Sequence, residues 1–232
     1  MLLDLGAGTG LIGEHLAGGG VGYLGVDVSG PMLAVFRRKL GPGGGALVRA
    51  DGGAPWPLRG GRVGLVFVSR AAHLLPPAVL VAETLRVASP RGSLFVLGGV
   101  ESDRDSLRAV LRRQMRRLLA ERGVAPRRAA ETRRAIAEAL AERGGEPLPV
   151  RTAASWTTVH RAADALAAWR AKSGLGGQPV PAATQEEVLR ELESWIRERF
   201  GGLEVERETT ERYDLLAVRL PPRSATDEGG DA

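Results

Sequence analysis

Nine residues near the start, Leu2-Leu3-Asp4-Leu5-Gly6-Ala7-Gly8-Thr9-Gly10, constrain what this chain can fold into more than any other stretch. Leu2 to Leu5 are an apolar run broken by one acid, the pattern of a short strand buried on both faces. Three glycines at alternate positions follow at once, and Leu11-Ile12-Gly13-Glu14-His15-Leu16 then reads as a helix start. Glycine suits such a turn for two reasons. It visits positive φ without strain, and it lets the backbone approach a ligand where a Cβ would stand in the way. Strand, glycine turn and helix together predict a loop for a nucleotide-type cofactor.

Two cofactors compete for that loop. Gly8-Thr9-Gly10-Leu11-Ile12-Gly13 literally matches G-x-G-x-x-G, the dinucleotide fingerprint. In that fingerprint the first glycine directly follows the strand. The frame that does so here, Gly6 to Leu11, ends in leucine where close helix packing wants a third small residue. The pattern D-L-G-A-G-T-G, with Asp4 inside the strand, instead resembles motif I of the class I S-adenosylmethionine-dependent methyltransferases. The resemblance implies S-adenosyl-L-methionine as cofactor, with Asp4, Gly6, Ala7, Gly8 and Gly10 among the residues that bind it.

The next three strands supply further signals in register. Val21 to Val28 reads as a second strand ending in Asp27, near the spacing at which a strand-end acid meets an adenosine ribose. A carboxylate can accept from two neighbouring hydroxyls at once. Ser29 is placed as an N-cap and Pro31 in the first turn of the helix that follows. G-V-D-V-S-G-P-M-L is similar to motif II of the same family, which implies that Val28 and Met32 flank the adenine; as residues alone, both could equally be core. Ala46 to Ala50 is a third strand, ending at Asp51-Gly52, after the glycine-rich turn 41–45. It resembles motif III, where the acid accepts from the adenine amino group and the next N–H meets the ring. Asp51 capping a turn is the alternative, since Asp-Gly is a common turn pair. Arg62 to Ser69 is an apolar fourth strand. The family usually carries Asp at the position of Gly64, a departure. Ser69-Arg70-Ala71-Ala72-His73-Leu74 resembles the segment after that strand, which places Ser69 at the cofactor and His73 near the transferred methyl.

A helix from Pro76 to Val87 and a fifth strand from Ser93 to Gly98 continue the alternation of strand and helix, the mark of a parallel α/β sheet. Asp4, Asp27, Asp51 and Ser69 all fall at or near the C-terminal edge of successive strands, where open α/β sheets bind ligands. From Glu101 to Phe200 the pattern predicts helices without strands, with an apolar stripe over Leu107, Val110, Leu111, Leu118 and Leu119 and arginines at 112, 113, 116 and 117 on other faces. Arg127 to Arg143, Ala162 to Lys172 and Thr184 to Arg199 read as further helices. Leu203 to Thr209 and Tyr213 to Leu220 read as a final strand pair across a charged turn.

The resemblance implies an α/β fold with a Rossmann-like seven-stranded methyltransferase sheet, strand order 3-2-1-4-5-7-6 with the last strand antiparallel, and a helical insertion between strands five and six. The expected organisation is one domain over 1–220. It comprises a cofactor-binding core over 1–100, a substrate-covering helical insertion over 101–200 and the final strand pair over 201–220, followed by a disordered polar tail over 221–232. Members of the family usually carry helices before the first strand. Here Met1 already leads into it, so either the chain start is internal to a longer protein or the helical insertion supplies the cover.

Composition bounds the function. The 232 residues, 44% hydrophobic and 25% charged, suit a globular chain with a real core. No apolar run approaches the roughly 20 residues of a membrane span, and no export signal is visible, so a cytoplasmic location and no membrane partner are expected. The absence of cysteine excludes disulfides, cysteine-ligated metals and thiolate nucleophiles. No metal-ligand spacing is evident, and none is expected. Net charge is +5 and the pI about 10.5. Lys39 and Lys172 are the only lysines, and so arginine-heavy a profile fits a GC-rich coding sequence as well as a polyanion site.

The expected reaction is therefore methyl transfer to a small-molecule acceptor by in-line displacement, with His73 as the candidate general base where the acceptor atom starts protonated. An RNA or protein methyltransferase using the arginine-rich helix around Arg112 to Arg117 is the alternative, and nucleic acid is a possible but not favoured partner. No Asn-Pro-Pro-aromatic segment follows strand four to receive a base amino group. A non-catalytic cofactor-binding regulatory domain is the third reading. His160 beside Trp156 and Arg161 reads as solvated or packed, and His15 as a surface residue.

Overall fold

A computed structural model describes residues 1–41, 43–124 and 129–222. Residues 223–232 of the expected tail, Pro42 of the glycine-rich turn, and Arg127 and Arg128 at the start of an expected helix lie outside the described residues. The chain divides into two compact units. The first is built from Met1–Gly99, Ala129–Arg151 and the stretch from Asp214 on; the second opens at Val100 and takes in Thr152–Tyr213.

In the first unit, β1 (Leu2–Leu5) lies at the centre of the sheet, hydrogen-bonded in parallel to β2 (Tyr23–Asp27) and to β4 (Leu65–Ser69). β3 (Ala46–Arg49) flanks β2, and β5 (Ser93–Ser102) flanks β4, again in parallel. The period of two assigns each side chain a face. Leu3, Leu5, Leu24, Val26, Val66 and Val68 enter one core, whereas Leu2, Tyr23 and Leu65 join the other, around Phe36 of α2 (Gly30–Lys39). Both faces are covered, which is why β1 is apolar at every position but Asp4. Strand order is β3-β2-β1-β4-β5-β8-β6, where β6 is Glu146–Pro147 and β8 is Glu206–Leu220, antiparallel to β6. That is the expected methyltransferase sheet, with one strand more: β7 (Arg151–Arg161) also pairs with β8.

Three expectations for the region beyond Gly98 are corrected. The block from Glu101 to Phe200 is not free of strands, because β6 and β7 lie within it. β7 is almost wholly exposed, so it carries no apolar alternation to announce it, only residues that suit strands, such as Thr157, Thr158 and Val159. The strand pair after Leu203 is one strand. Glu211-Arg212 looked like a turn because it is charged, yet β8 holds no glycine, proline or asparagine to make one, and Glu211 points inward to an ion pair. The helical block also does not stay together. α5 (Ala129–Ala141) belongs to the first unit, where Ile136, Ala137 and Leu140 enter the core beneath α3 (Pro77–Val87). The second unit has its own core between α4 (Leu107–Glu121), α6 (Ala162–Arg170) and α7 (Ala182–Phe200), with Leu111, Leu119, Leu166, Leu189 and Ile196 fully buried or nearly so.

Candidate active site

The glycine loop is tied to the end of β2. Gly6 and Ala7 both donate to the Val26 carbonyl, at 2.8 and 3.1 Å. Gly6, Gly8 and Gly10 all have positive φ, at 76°, 56° and 75°, but they differ in what surrounds them. A Cβ on Gly6 would overlap that of Ala71, and one on Gly10 would overlap the Phe36 ring. A Cβ on Gly8 would meet nothing closer than Met32 Sδ, at 3.9 Å. Two of the glycines therefore serve packing, and the third faces open space. The Gly8 N–H donates to Asp27 Oδ2 at 2.8 Å, and the Ser29 N–H to Oδ1 at 2.8 Å. Each carboxylate oxygen of Asp27 keeps capacity to accept again. Ser29 caps α2 by accepting from Met32 N–H at 3.4 Å, with Pro31 in the first turn.

Val28 and Met32 are not core residues. They are 61% and 48% exposed, and Leu11, just beyond the glycine loop, is 65% exposed. Asp4, by contrast, is buried. Its Oδ2 accepts from the Tyr23 hydroxyl at 2.6 Å, and a Cβ on Gly13 would stand 2.9 Å from the same oxygen. Burial pushes the Asp4 carboxyl up to about 6, against the lowering effect of the Tyr23 hydrogen bond, and the charge of Asp27 adds to the rise. The same burial, with Asp4 beside it, raises the Tyr23 phenol. The acid of the glycine motif thus lies beside Tyr23 and close to Gly13, where only a residue without a side chain fits.

Asp51 lies exposed beyond β3, and its Oδ1 accepts from the Gly53 N–H at 2.8 Å, so it does cap a turn. Gly52 is buried against Leu5 and Leu75. The segment after it is clamped by residues that the sequence did not single out. The Trp56 indole donates to the Gly52 carbonyl at 3.1 Å, and its backbone N–H donates to Glu83 Oε2 at 2.6 Å. Arg86, one turn along α3, donates to Glu83 Oε1 and to the carbonyls of Leu58 and Trp56, at 2.7, 2.7 and 3.0 Å. The Arg86 hydrogen bond holds the Glu83 carboxyl below its ordinary value, and Glu83 in turn raises Arg86. An acid and an arginine at i,i+3 on a helix signal a surface pair; nothing in the spacing shows that they reach a loop some thirty residues earlier.

At the end of β4, Ser69 is half-buried and Arg70 has φ 58°, the one positive-φ residue other than glycine among the described residues. Such a backbone costs of order 1–3 kcal/mol and marks functional loops. It allows the Arg70 N–H to reach the Gly98 carbonyl at 3.0 Å while Ala71 meets Gly6. His73 follows, half-buried in the single 3-10 turn Ala72–Leu74 that α5 packs on. On β5, the absence of a side chain at Gly99 leaves room for the Arg133 guanidinium of α5. The two other histidines lie elsewhere. His15 is a surface residue near Glu14, and His160 of the second unit lies 3.2 Å from Glu211. Among the described residues no cluster of three or more His, Asp or Glu could hold a metal, and no helix is long and apolar enough to cross a membrane.

Comparison with known proteins finds relatives of this half of the chain. Residues 3–96 match the family described as a methyltransferase domain. An uncharacterized methyltransferase of Mycobacterium ulcerans is 39% identical over 97 residues, 41% of this chain and 37% of that protein. The chain thus spans about two-fifths of the length of the curated relatives it matches. Among solved structures, a Bacillus halodurans protein described as a methyltransferase superposes with a TM-score of 0.60 at 18% identity, over 95% of this chain and 92% of that one. The [4+2]-cyclase SpnF superposes with a TM-score of 0.53 at 19% identity, over 95% of this chain and 75% of that one. At such identities the likeness is one of fold.

Proposed function

We propose, from the premise that this chain belongs to the class I S-adenosylmethionine-dependent methyltransferases, that it transfers the methyl group of S-adenosylmethionine to a small-molecule acceptor by in-line displacement. The observation that carries the reading is the opening at Gly8. A positive-φ glycine with free space above it is flanked by exposed Met32, and its N–H is held by an acid with lone pairs to spare. Those residues suit the cofactor. Asp27 accepts from the ribose hydroxyls with the capacity its two backbone donors leave. Val28 and Met32 enclose the adenine with side chains that would otherwise be exposed. The Asp51 oxygen not used by Gly53 accepts from the adenine amino group, and the Gly52 N–H meets the ring. Gly6, Ala7 and Gly10 shape the loop, Asp4 positions it through Tyr23, and Ser69 closes the β4 side.

The cofactor brings a methyl group already activated on a sulfonium, so the protein's part is alignment and exclusion of water. His73 takes the acceptor's proton where there is one to take.

The test is calorimetric titration with S-adenosylmethionine, S-adenosylhomocysteine and NAD, with Asp27→Ala as control. Micromolar binding of the first two, lost in the variant, is expected. Binding of NAD alone would overturn the reading. For the base, His73→Ala at saturating cofactor is expected to lower turnover by more than about 100-fold; a change of a few-fold would remove His73 from the chemistry.

A further inference from the structure

Helix α4 carries three arginines in one line. Arg108, Arg112 and Arg116 recur at every fourth residue, so their side chains follow one another along a single face. All three are half-buried beside the apolar stripe of Leu107, Leu111 and Met115, whereas Arg113 and Arg117 are exposed. One carboxylate answers the first of them. Glu211 of β8, buried, accepts from Arg108 Nη1 at 2.6 Å through the same oxygen that lies 3.2 Å from His160 Nε2. Burial raises the Glu211 carboxyl, but Arg108 and His160 outweigh it and hold the group below its ordinary value.

Two groups are left without an answer. Among the described residues Arg112 makes no hydrogen bond or ion pair, although a guanidinium has five N–H donors. Burial, reinforced by the charges of Arg108 and Arg116 and only partly offset by Glu211, pushes it down to about 10. Thr209 is two residues before Glu211 on the same strand and hence on the same face. It is 5% exposed, and its hydroxyl has no hydrogen-bond partner. Buried hydroxyls are nearly always satisfied, and like charges spaced four apart on a helix repel. Both groups have a donor to offer: the Arg112 guanidinium carries N–H groups and a positive charge, and the Thr209 hydroxyl an O–H.

We propose that this face of α4, with Arg112 as the forked donor and the Thr209 hydroxyl as a further one, binds the carboxylate or phosphate group of a small anionic molecule. Guanidinium groups suit such planar or tetrahedral oxyanions because two N–H bonds run parallel to two oxygens. A small ligand fits better than a nucleic-acid backbone. The solvent-facing arginines are already engaged, Arg117 by Glu121 at 3.0 Å and Arg113 by the Arg104 carbonyl at 3.2 Å. The site lies wholly in the second unit, and its existence does not depend on the methyl-transfer reading.

The experiment is titration of the full chain with inorganic phosphate and with succinate at constant ionic strength, with chloride as reference, followed by calorimetry and thermal unfolding. Saturable binding of phosphate or succinate is expected, weakened about 10-fold or more by Arg112→Gln and a few-fold by Thr209→Val, from the usual worth of charged and neutral hydrogen bonds. Without added anion, Arg112→Gln is expected to unfold at the same or a higher temperature, since it relieves repulsion. A drop of several degrees would show that Arg112 is structural and would overturn the proposal. So would a response no different from chloride up to about 20 mM, a concentration that would detect even millimolar sites. Tight binding of an RNA oligomer through Arg112, with none of phosphate or succinate, would also overturn it, in favour of a nucleic-acid face. Binding of S-adenosylmethionine, measured alongside, reports separately on the cofactor site.

Discussion

Two of the buried acids, Asp4 in the first unit and Glu211 in the second, are held in opposite ways. Asp4 of β1 has a hydroxyl for a partner and no cation, so burial dominates and its carboxyl rises to about 6. Glu211 of β8 is buried to a similar extent, yet an arginine and a histidine meet one of its oxygens and its carboxyl falls. The contrast extends to their surroundings. In the first unit the strand-end acids Asp27 and Asp51 are held by backbone N–H groups, which fix a carboxylate without neutralising it and leave it able to accept from a ligand. In the second unit carboxylates such as Glu211, Glu191 and Glu193 are paired with guanidinium groups. Backbone-held acids remain available; arginine-held acids are structural. Where the arginines outnumber the acids, as along α4, the availability passes to the cations.

The largest expected effect separates the glycines of the first unit. Gly10→Ala should destabilise by about 3 kcal/mol or more, since a Cβ there overlaps the Phe36 ring and also strains a positive φ. Gly8→Ala has only the backbone cost, about 1 kcal/mol, and should act mainly on cofactor affinity. Equal losses in denaturant melts would mean that the loop is packed uniformly and that Gly8 faces no opening. Next comes Glu211→Gln, expected to cost about 2–3 kcal/mol, somewhat under the usual value for a broken buried pair because Arg108 is a third exposed.

The pH dependence of the two acids should run in opposite directions. Asp4 has a folded-state pKa near 6, above its ordinary 3.8. The native state therefore favours the protonated form, and stability rises as pH falls from above 6 towards 4 and is lost as pH rises through about 6. Asp4→Asn should flatten that window and add about 3 kcal/mol at pH 8, from the free energy of a shift of that size. Glu211 has a depressed folded-state pKa, so its contribution is present above the ordinary 4.5 and is lost as pH falls through the lowered value. Calorimetry of both variants from about pH 2.5 to 8 checks the pair; a parallel trend would mean that one of the two environments is misassigned. The smallest effect is expected for Arg117→Ala, whose pair with Glu121 is largely exposed, at about 0.3–0.5 kcal/mol.

The sheet from Leu2 to Gly98 was legible because its signals are local. A strand buried on both faces is mostly apolar, a tight turn at positive φ favours glycine, and an acid after a strand falls at its C-terminal edge whatever surrounds it. The positions of Asp27, Asp51 and Ser69 along that edge followed from the alternation of elements. The Trp56–Glu83–Arg86 clamp was not legible, because it joins a loop to a helix across some thirty residues and each member is unremarkable where it stands. α5 was assigned to the wrong group for the same reason. Its amphipathic stripe shows that it packs on something, and only the contacts of Ile136 and Leu140 show that this is the core beneath α3.

The amino-acid sequence by itself thus determined the order of elements in the first hundred residues and which residues stand at strand ends. These depend on periodicity and on the backbone demands of glycine turns, which act over a few residues. Tertiary structure alone decided which glycine faces open space, that Val28 and Met32 lie outside the core, that β8 runs unbroken through Glu211, and that Arg112 has no acceptor among the described residues. Each of these depends on what a distant segment places opposite a side chain. A charge or a methionine reads the same in sequence whether its neighbour is water, a ring or a counter-ion.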